Sequence, residues 1–468
     1  MVRLAAFCLF IASLGLAEPA WNRFRGPNGT GFVQSKALPV EFGKGKNTLW
    51  RTEVPPGFSS PVLSAKCVFL TAYEDPKLYT ICVDRTSGSV AWKVLSGERA
   101  GKKLSVNTPV SPTPVTDGHN VYVFIEHAGL ISYTEEGKER WRAALGKFNN
   151  PYGMGASPIL AGGRVILQAD QDTDSYLVAV DAKTGRQLWK TARPSSQHGY
   201  STPVVYTPKG KPAQLVVSES FQTAGYSLAT GEKLWWVEGM AWQAKSVPVL
   251  AGDTLFVHSW MMEMSEVAKI PAMSWEEYLE KYDTDKDGAI SKSEAHEKEM
   301  AKYWFLFDID RTDRIEKKDY EILQARNSAR SGLFAIQLGG SGNLTSSAVR
   351  WKSERSLPNI PSPLLYRDVL YVLKEGGILT SYNPKTGEVL KQGRVEGALD
   401  PYYASPVAAD GKVFTVTQNG KMAVLKAGAQ WEKLALNDLE EETWATPAIG
   451  DGRLYVRTQK ALYCFAQQ

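Results

Sequence analysis

Twelve residues in the middle of this chain, Asp283-Thr-Asp-Lys-Asp-Gly-Ala-Ile-Ser-Lys-Ser-Glu294, have the composition and spacing of a divalent-cation site. Asp283, Asp285 and Asp287 hold positions 1, 3 and 5, where alternate side chains of a tightly wound loop converge on one point. Gly288 supplies the sharp turn, Ala289 offers its carbonyl, Ser291 acts directly or through water, and Glu294 closes the cage with both carboxylate oxygens. Six or seven hard oxygen donors select Ca2+, and the pattern is that of an EF-hand loop.

A second loop, Asp308 to Asp319, follows after 13 residues and places Asp308, Asp310, Thr312, the Arg314 carbonyl and Asp319 at the same spacing. Asp313 replaces the turn glycine, and Asp319 is one methylene shorter than glutamate, which makes two-oxygen coordination harder. The loop is either a second cation site or a partner whose Ile315 pairs with Ile290 and stiffens the first; one unbroken helix between the loops would forbid that pairing. The flanks agree with a helical insert. Ser274-Trp-Glu-Glu277 reads as a capping box opening the entering helix, and Glu294 to Phe307 reads as helix with Met300, Trp304 and Phe307 as apolar anchors. Residues 274–326 hold 15 acids and 10 bases, net −5, so with a whole-chain charge of +4 the remainder is +9.

The elements that must carry this block form a repeat. Each unit begins with a Ser/Thr/Val-Pro step, runs through three short β-rich stretches, and closes with Thr-Gly and a tryptophan strand. The starts are Ser60, Thr113, Ser157, Thr202, Val247, Ser362, Ser405 and Thr446, each followed by proline. The spacing is 41 to 53 residues except for 115 between the fifth and sixth, where the cation loops lie. Four strands per unit at this period predict an all-β fold, an eight-bladed β-propeller with a small α-helical EF-hand insert in blade five. The last unit ends after its third strand, and Thr48 to Glu53 resembles the missing fourth, so an N-terminal strand is expected to close the ring. The tryptophans Trp92, Trp141, Trp189 and Trp235 are expected to pack as core.

Ala179-x-Asp181-x-x-x-Gly185-Arg-Gln-x-Trp189, with echoes at Asp84 to Trp92, Ser227 to Trp235 and Asn383 to Lys391, resembles the tryptophan-docking repeat of the PQQ-like (pyrroloquinoline quinone) propeller family. That family includes quinoprotein alcohol dehydrogenases and the outer-membrane assembly lipoprotein. The opening Trp21-Asn-Arg-Phe-Arg-Gly-Pro27 is also similar to the start of its exported bacterial members. The resemblance covers nearly the whole chain outside the insert and bears on fold more than on activity, because the repeat is a packing device. It implies a small-molecule or quinone site at the mouth of the channel, on the face where the insert emerges. The loops there carry Phe58, Asn107, Tyr152, His198, Tyr200, Trp242, Lys245, Tyr402, Tyr403 and Trp444, which either line a ligand funnel or plug the channel. Asp400 and His198 are the nearest to a base and a proton carrier, but no Cys-Cys pair accompanies them.

Residues 1–17 read as a secretory signal peptide, with Arg3 ahead of an apolar run that is too short to span a bilayer, and no later stretch is long enough. Residues 18–47 read as an N-terminal extension, 48–468 as the propeller, and 262–331 as the insertion. Beyond Cys8 three cysteines remain, and Cys67 and Cys82 flank a hairpin, where they form either a disulfide or two buried thiols. With 468 residues, 43% apolar and 22% charged, the chain is neither disordered nor collagen-like, and its near-neutral balance excludes a general nucleic-acid binder. The expectation is an exported, periplasmic or secreted monomer that binds calcium and serves as a binding or assembly scaffold, with an envelope or extracellular protein as partner. The alternative is a periplasmic PQQ-dependent oxidoreductase acting on an alcohol or sugar. In either case the metal could gate the mouth or act only as a clamp.

Overall fold

The computed structural model describes residues 21–99, 106–261 and 270–468. The expected signal peptide, with Cys8, and residues 262–269 of the insertion lie outside the described residues.

Eight antiparallel sheets radiate from a central channel, each with its first strand innermost. Blade three shows the pattern: Ile159–Ala161, Arg164–Ala169, Tyr176–Asp181 and Gln187–Ala192. The second and third strands are buried on both faces, because each blade is sandwiched between two others, whereas the outer strand alternates. The core is accordingly divided into wedges between blades, such as Val115, Tyr122 and Trp141 against Val165 and Val178. Strand Thr48–Glu53 pairs with Ala461–Ala466 and completes blade eight, as the truncated last repeat requires.

Why each unit starts with Ser-Pro or Thr-Pro is visible at the channel wall. Proline has no N–H, so the amide of the residue before it is the donor of that step. The Ser60 N–H donates to the Thr113 hydroxyl at 2.9 Å, Thr113 N–H to Ser157 at 2.9 Å, and Ser157 N–H to Thr202 at 3.1 Å. The series resumes from Val247 to Ser362, Ser405 and Thr446, and Thr446 N–H donates to Ser60 at 3.0 Å, closing a circle. It breaks once. Val247 has no hydroxyl to receive Thr202, and beside the gap the Ser201 hydroxyl donates to the Ser246 carbonyl at 2.8 Å.

The tryptophans join the outer strands. Trp141 lies on the turn glycine of the next blade, Gly185, whose φ of +73° and lack of Cβ leave room for the ring; a Cβ there would meet Cε3 at 2.6 Å. Its indole N–H donates to Ala182 O at 3.0 Å. Trp50, Trp92, Trp189 and Trp351 repeat the contact with Gly88, Gly137, Gly231 and Gly387. Trp235 is buried in the core as expected but lies over Gly225 of its own blade rather than on the next, donating to Gln214. The reason is local: the turn that would receive it is replaced in blade five by a longer excursion, of which Gly342–Asn343 adds a fifth, parallel strand beside Trp235 and Trp236.

Residues 21–42, read from sequence as an extension, are largely built into the core. Trp21 O accepts from Leu63 N, Asn22 O from Thr116 N, Asn28 Oδ1 from Val205 N, and Gly31 O from Ala408 N. These partners lie on the innermost strands of four different blades, so the segment crosses the channel and obstructs it away from the mouth. Arg25 is fully buried and donates to Pro363 O at 2.7 Å; burial pushes its guanidinium down to about 9.

Ser157→Ala is expected to leave the Thr113 amide without a partner and to cost about 1–3 kcal/mol in a denaturant titration. Val247→Thr is expected to supply the missing link and to raise stability by about 1 kcal/mol.

Candidate functional site

The insert leaves blade five between Thr254–Ser259 and Gly332–Gln337 and is tied at its neck by Met261 N donating to the Ser331 hydroxyl. Among its described residues it has three α-helices, α1 (Trp275–Tyr282), α2 (Lys298–Lys302) and α3 (Lys317–Ser328), around its own core of Trp275, Tyr278, Met300, Trp304, Phe307 and Tyr320. The capping box at Ser274 and Glu277 is present. The span 294–307 is not one helix: α2 is five residues long and is followed by a separate 3-10 turn, Trp304–Leu306. That break lets the loops come together, and Ile290 pairs with Ile315 in a two-stranded antiparallel ladder.

In the first loop one carboxylate oxygen from each of Asp283, Asp285 and Asp287 lies within 4.8 Å of the others. Gly288 has φ +85° and its N–H donates to Asp283 Oδ2 at 2.9 Å. The Glu294 carboxylate spans the loop. Oε1 accepts from Thr284 and Oε2 from Ser291, and these bonds, with those from Ser291 foremost, hold the carboxyl down at about 2. Ala289 is buried, its N–H on Asp287. In the second loop the Thr312 N–H donates to Asp308 at 3.0 Å and its hydroxyl to Asp310 at 3.1 Å, while the Arg314 side chain crosses to Asp287 at 2.6 Å; among the described residues only the first loop gathers three carboxylates closely enough to share an ion. Burial, and then the neighbouring Asp310 and Asp308, push the Asp319 carboxyl up to about 6.

The mouth residues fall into separate groups. His198 bonds Asp172 through Nδ1 and meets Gln243 at Nε2, so both ring nitrogens are engaged and it is not a free proton carrier. Tyr152, Tyr200 and Trp242 surround it with ring centroids 5.8, 6.2 and 4.9 Å away. Arg326 of α3 reaches this group from the insert: its guanidinium lies 4.2 Å from the Trp242 ring centre and donates to Gln197 and to Leu306 O. Across the channel, Trp444 stacks on Phe58 at 4.5 Å and contacts Tyr403 at 3.9 Å. Tyr402 does not join them; it is buried and donates to Ala398 O. Asn107 donates to Gly153 O, and Asp400 faces Asn419 and Lys421. Lys245 donates to Asn359 and sits 5.1 Å over Trp260, with burial lowering its ammonium to about 8.

The sequence matches the family described as outer membrane protein assembly factor BamB over residues 80–239 and 341–468, on either side of the insert. The chain belongs to that family. No curated protein matches it. Among solved structures, this BamB-family chain is similar to BamB from Moraxella catarrhalis, at 12% identity and TM-score 0.57, covering 90% of this chain and 97% of that one. It is also similar to the quinohemoprotein alcohol dehydrogenase ADHIIG from Pseudomonas putida HK5 (12% identity, TM-score 0.59, covering 96% and 80%). A europium-containing methanol dehydrogenase aligns at 8% identity and TM-score 0.57, covering 96% and 98%. At these identities the likeness is one of fold. Assembly factors and quinoprotein dehydrogenases share the architecture, and the site alone can separate them.

Sequence reasoning missed three contributors to the mouth of this BamB-family propeller. Asp172 and Gln243 carry no motif, and Arg326 lies in a helix that reads only as part of the insert. His258 was also missed. It is fully buried near Lys245, and burial, reinforced by that ammonium, pushes its imidazole down to about 3. Its folded value lies below the unfolded one, so the unfolded chain takes the proton first and stability falls as pH drops from about 6.5 toward 3. The expected slope is about 1.4 kcal/mol per pH unit in that window, and His258→Leu is expected to flatten the melting temperature measured from pH 7 to pH 4.

Proposed function

We propose that the protein is an exported, monomeric, calcium-binding scaffold of the cell envelope that docks another protein at the mouth of its propeller. The observation that carries this reading is that the mouth aromatics are engaged with one another and with the insert. Trp444 contacts both Phe58 and Tyr403, and Trp242 lies against Arg326. A planar quinone needs aromatic faces free to sandwich it, and in this arrangement those residues do not fit it. Half-buried rings at a rim suit an apolar protein surface instead, as does Phe305 of the insert, which is 60% exposed beside Tyr152 and Arg326.

The calcium reading of the first loop is supported by its donor set: three convergent aspartates, the Ala289 carbonyl, Ser291, and a glutamate long enough to offer two oxygens. Export is supported by the Cys67–Cys82 disulfide, Cα–Cα 5.5 Å, a bond that persists in oxidising compartments. Among the described residues no helix is long and apolar enough to cross a membrane.

The test is a titration of the mature protein with PQQ, followed by tryptophan fluorescence in calcium and in chelator, beside calorimetry with Ca2+. No saturable quenching is expected. One Ca2+ is expected at the first loop, lost in Glu294→Gln, with a lower melting temperature for that variant in calcium. A photo-crosslinker at Phe58 or Phe305 in the native envelope is expected to give discrete protein adducts, and one at Lys209, away from the mouth, none. Calcium-dependent quenching by PQQ together with dye-linked oxidation of an alcohol would replace the scaffold with the oxidoreductase.

A further inference from the structure

A guanidinium carries a charge, five N–H groups and no acceptor, so a buried arginine is at ease only with several acceptors or a counter-charge. The interior arginines of the propeller differ in how far they meet that need. Arg193 is buried between Asp170 and Glu219. Arg457, also buried, donates to the carbonyls of Pro55, Ser59 and Thr71 and to the Ser59 hydroxyl. Arg25, on the segment that crosses the channel, has neither arrangement. It is 0% exposed and has two acceptors, Gly29 O for Nε at 3.2 Å and Pro363 O for Nη2 at 2.7 Å. Among the described residues Nη1 has no hydrogen-bond partner and no carboxylate pairs with the group, so burial alone sets its guanidinium at about 9.

The head group is held in place. Arg25 has φ +62°, a region that residues with a side chain seldom enter, and its turn is closed by the Gly26 N–H on Arg23 O at 2.9 Å and the Gly31 N–H on Arg25 O at 2.8 Å. Gly31 presses against it: a Cβ there would meet Arg25 Nη2 at 2.8 Å, Leu364 Cδ1 at 3.0 Å and Pro406 O at 3.3 Å. The surroundings are thus carbonyl oxygens and an apolar side chain, where blades six and seven begin. Water at Nη1 accepts a hydrogen bond but leaves the charge unbalanced. Phosphate or a carboxylate balances the charge, but its further oxygens would meet carbonyls and Leu364, which have no hydrogen to give. A halide needs only the N–H groups already there, and its single charge matches the guanidinium.

We propose that the channel holds a chloride ion on Nη1 of Arg25, enclosed between the N-terminal segment and the channel wall. The ion neutralises the guanidinium and fastens the segment where it crosses. The site is separate from the mouth and from the insert.

The experiment is thermal melting of the mature protein in sodium chloride, bromide or gluconate at one ionic strength, so that screening is common to all three. Unfolding opens the channel, so an enclosed site still equilibrates. The melting temperature is expected to rise saturably with chloride or bromide, by about 2–4 °C over gluconate. Arg25→Gln is expected to melt at one temperature in all three salts. Crystals of the unaltered chain grown in bromide are expected to show an anomalous peak at hydrogen-bonding distance from Arg25 Nη1, a measurement that stands even where Arg25→Gln does not fold. The proposal falls if chloride and gluconate give the same melting temperature, or if a folded Arg25→Gln keeps the difference. It falls equally if the density at Nη1 is water without anomalous signal. Bromide at Nη1 with no halide effect on melting would be an adventitious ion only, and overturns it as well.

Discussion

The circle of hydroxyl–amide hydrogen bonds at the channel wall is the constraint on which the rest of the structure depends. A radial array of sheets has to converge somewhere, and at the convergence the backbone is close-packed and largely shut off from solvent. Each innermost strand begins before a proline, which removes one donor, and at seven of the eight steps the remaining N–H is given to the hydroxyl of the neighbouring blade. The same bond satisfies a buried amide and sets the angle between adjacent blades. Because Thr446 returns to Ser60, the inner ring closes independently of the outer seam, where Thr48–Glu53 pairs with Ala461–Ala466. Five tryptophans, Trp50, Trp92, Trp141, Trp189 and Trp351, form a third, outermost set of blade-to-blade contacts, each matched to a glycine of positive φ.

The parts that could be read from the chain are those whose physics is local or repeated. The Ser/Thr-Pro starts, the Asp-to-Gly turns and the first cation loop each express their geometry within about a dozen residues, and eightfold repetition made the blade count plain. The closing strand was legible because one repeat lacked its partner. What could not be read depends on distant residues. The segment around Arg25 has no periodicity, and its partner Pro363 lies more than three hundred positions away. The His198–Asp172–Gln243 group spans two blades and three loops with no spacing to betray it. The break at 303–307 was hidden by helix-compatible residues, although the need for Ile290 to reach Ile315 pointed to it.

The insert is fastened to the propeller at the point where chemistry would be sought. Arg326 brings a charge from α3 into the aromatic group around His198, and Phe221 of blade four packs against the insert's core from the other side. One helix, α3, therefore starts at the second loop of the insert and ends near the propeller mouth. The contact with Trp242 is made by a single buried guanidinium, lowered to about 10 by that burial.

The segment that crosses the channel also fixes an order of events. Trp21, Arg25 and Asn28 leave the ribosome and emerge on the far side of the membrane, in the exported reading, before any of the strands that will hold them. Their partners run from Leu63 through Ala408, so the first stretch of chain to arrive is among the last to be buried. Until then a tryptophan and two arginines are held open in a half-built ring, and contacts of such long sequence separation are the slow ones. Strands of blades one, two, four, six and seven must all be in place before this segment finds every one of its partners.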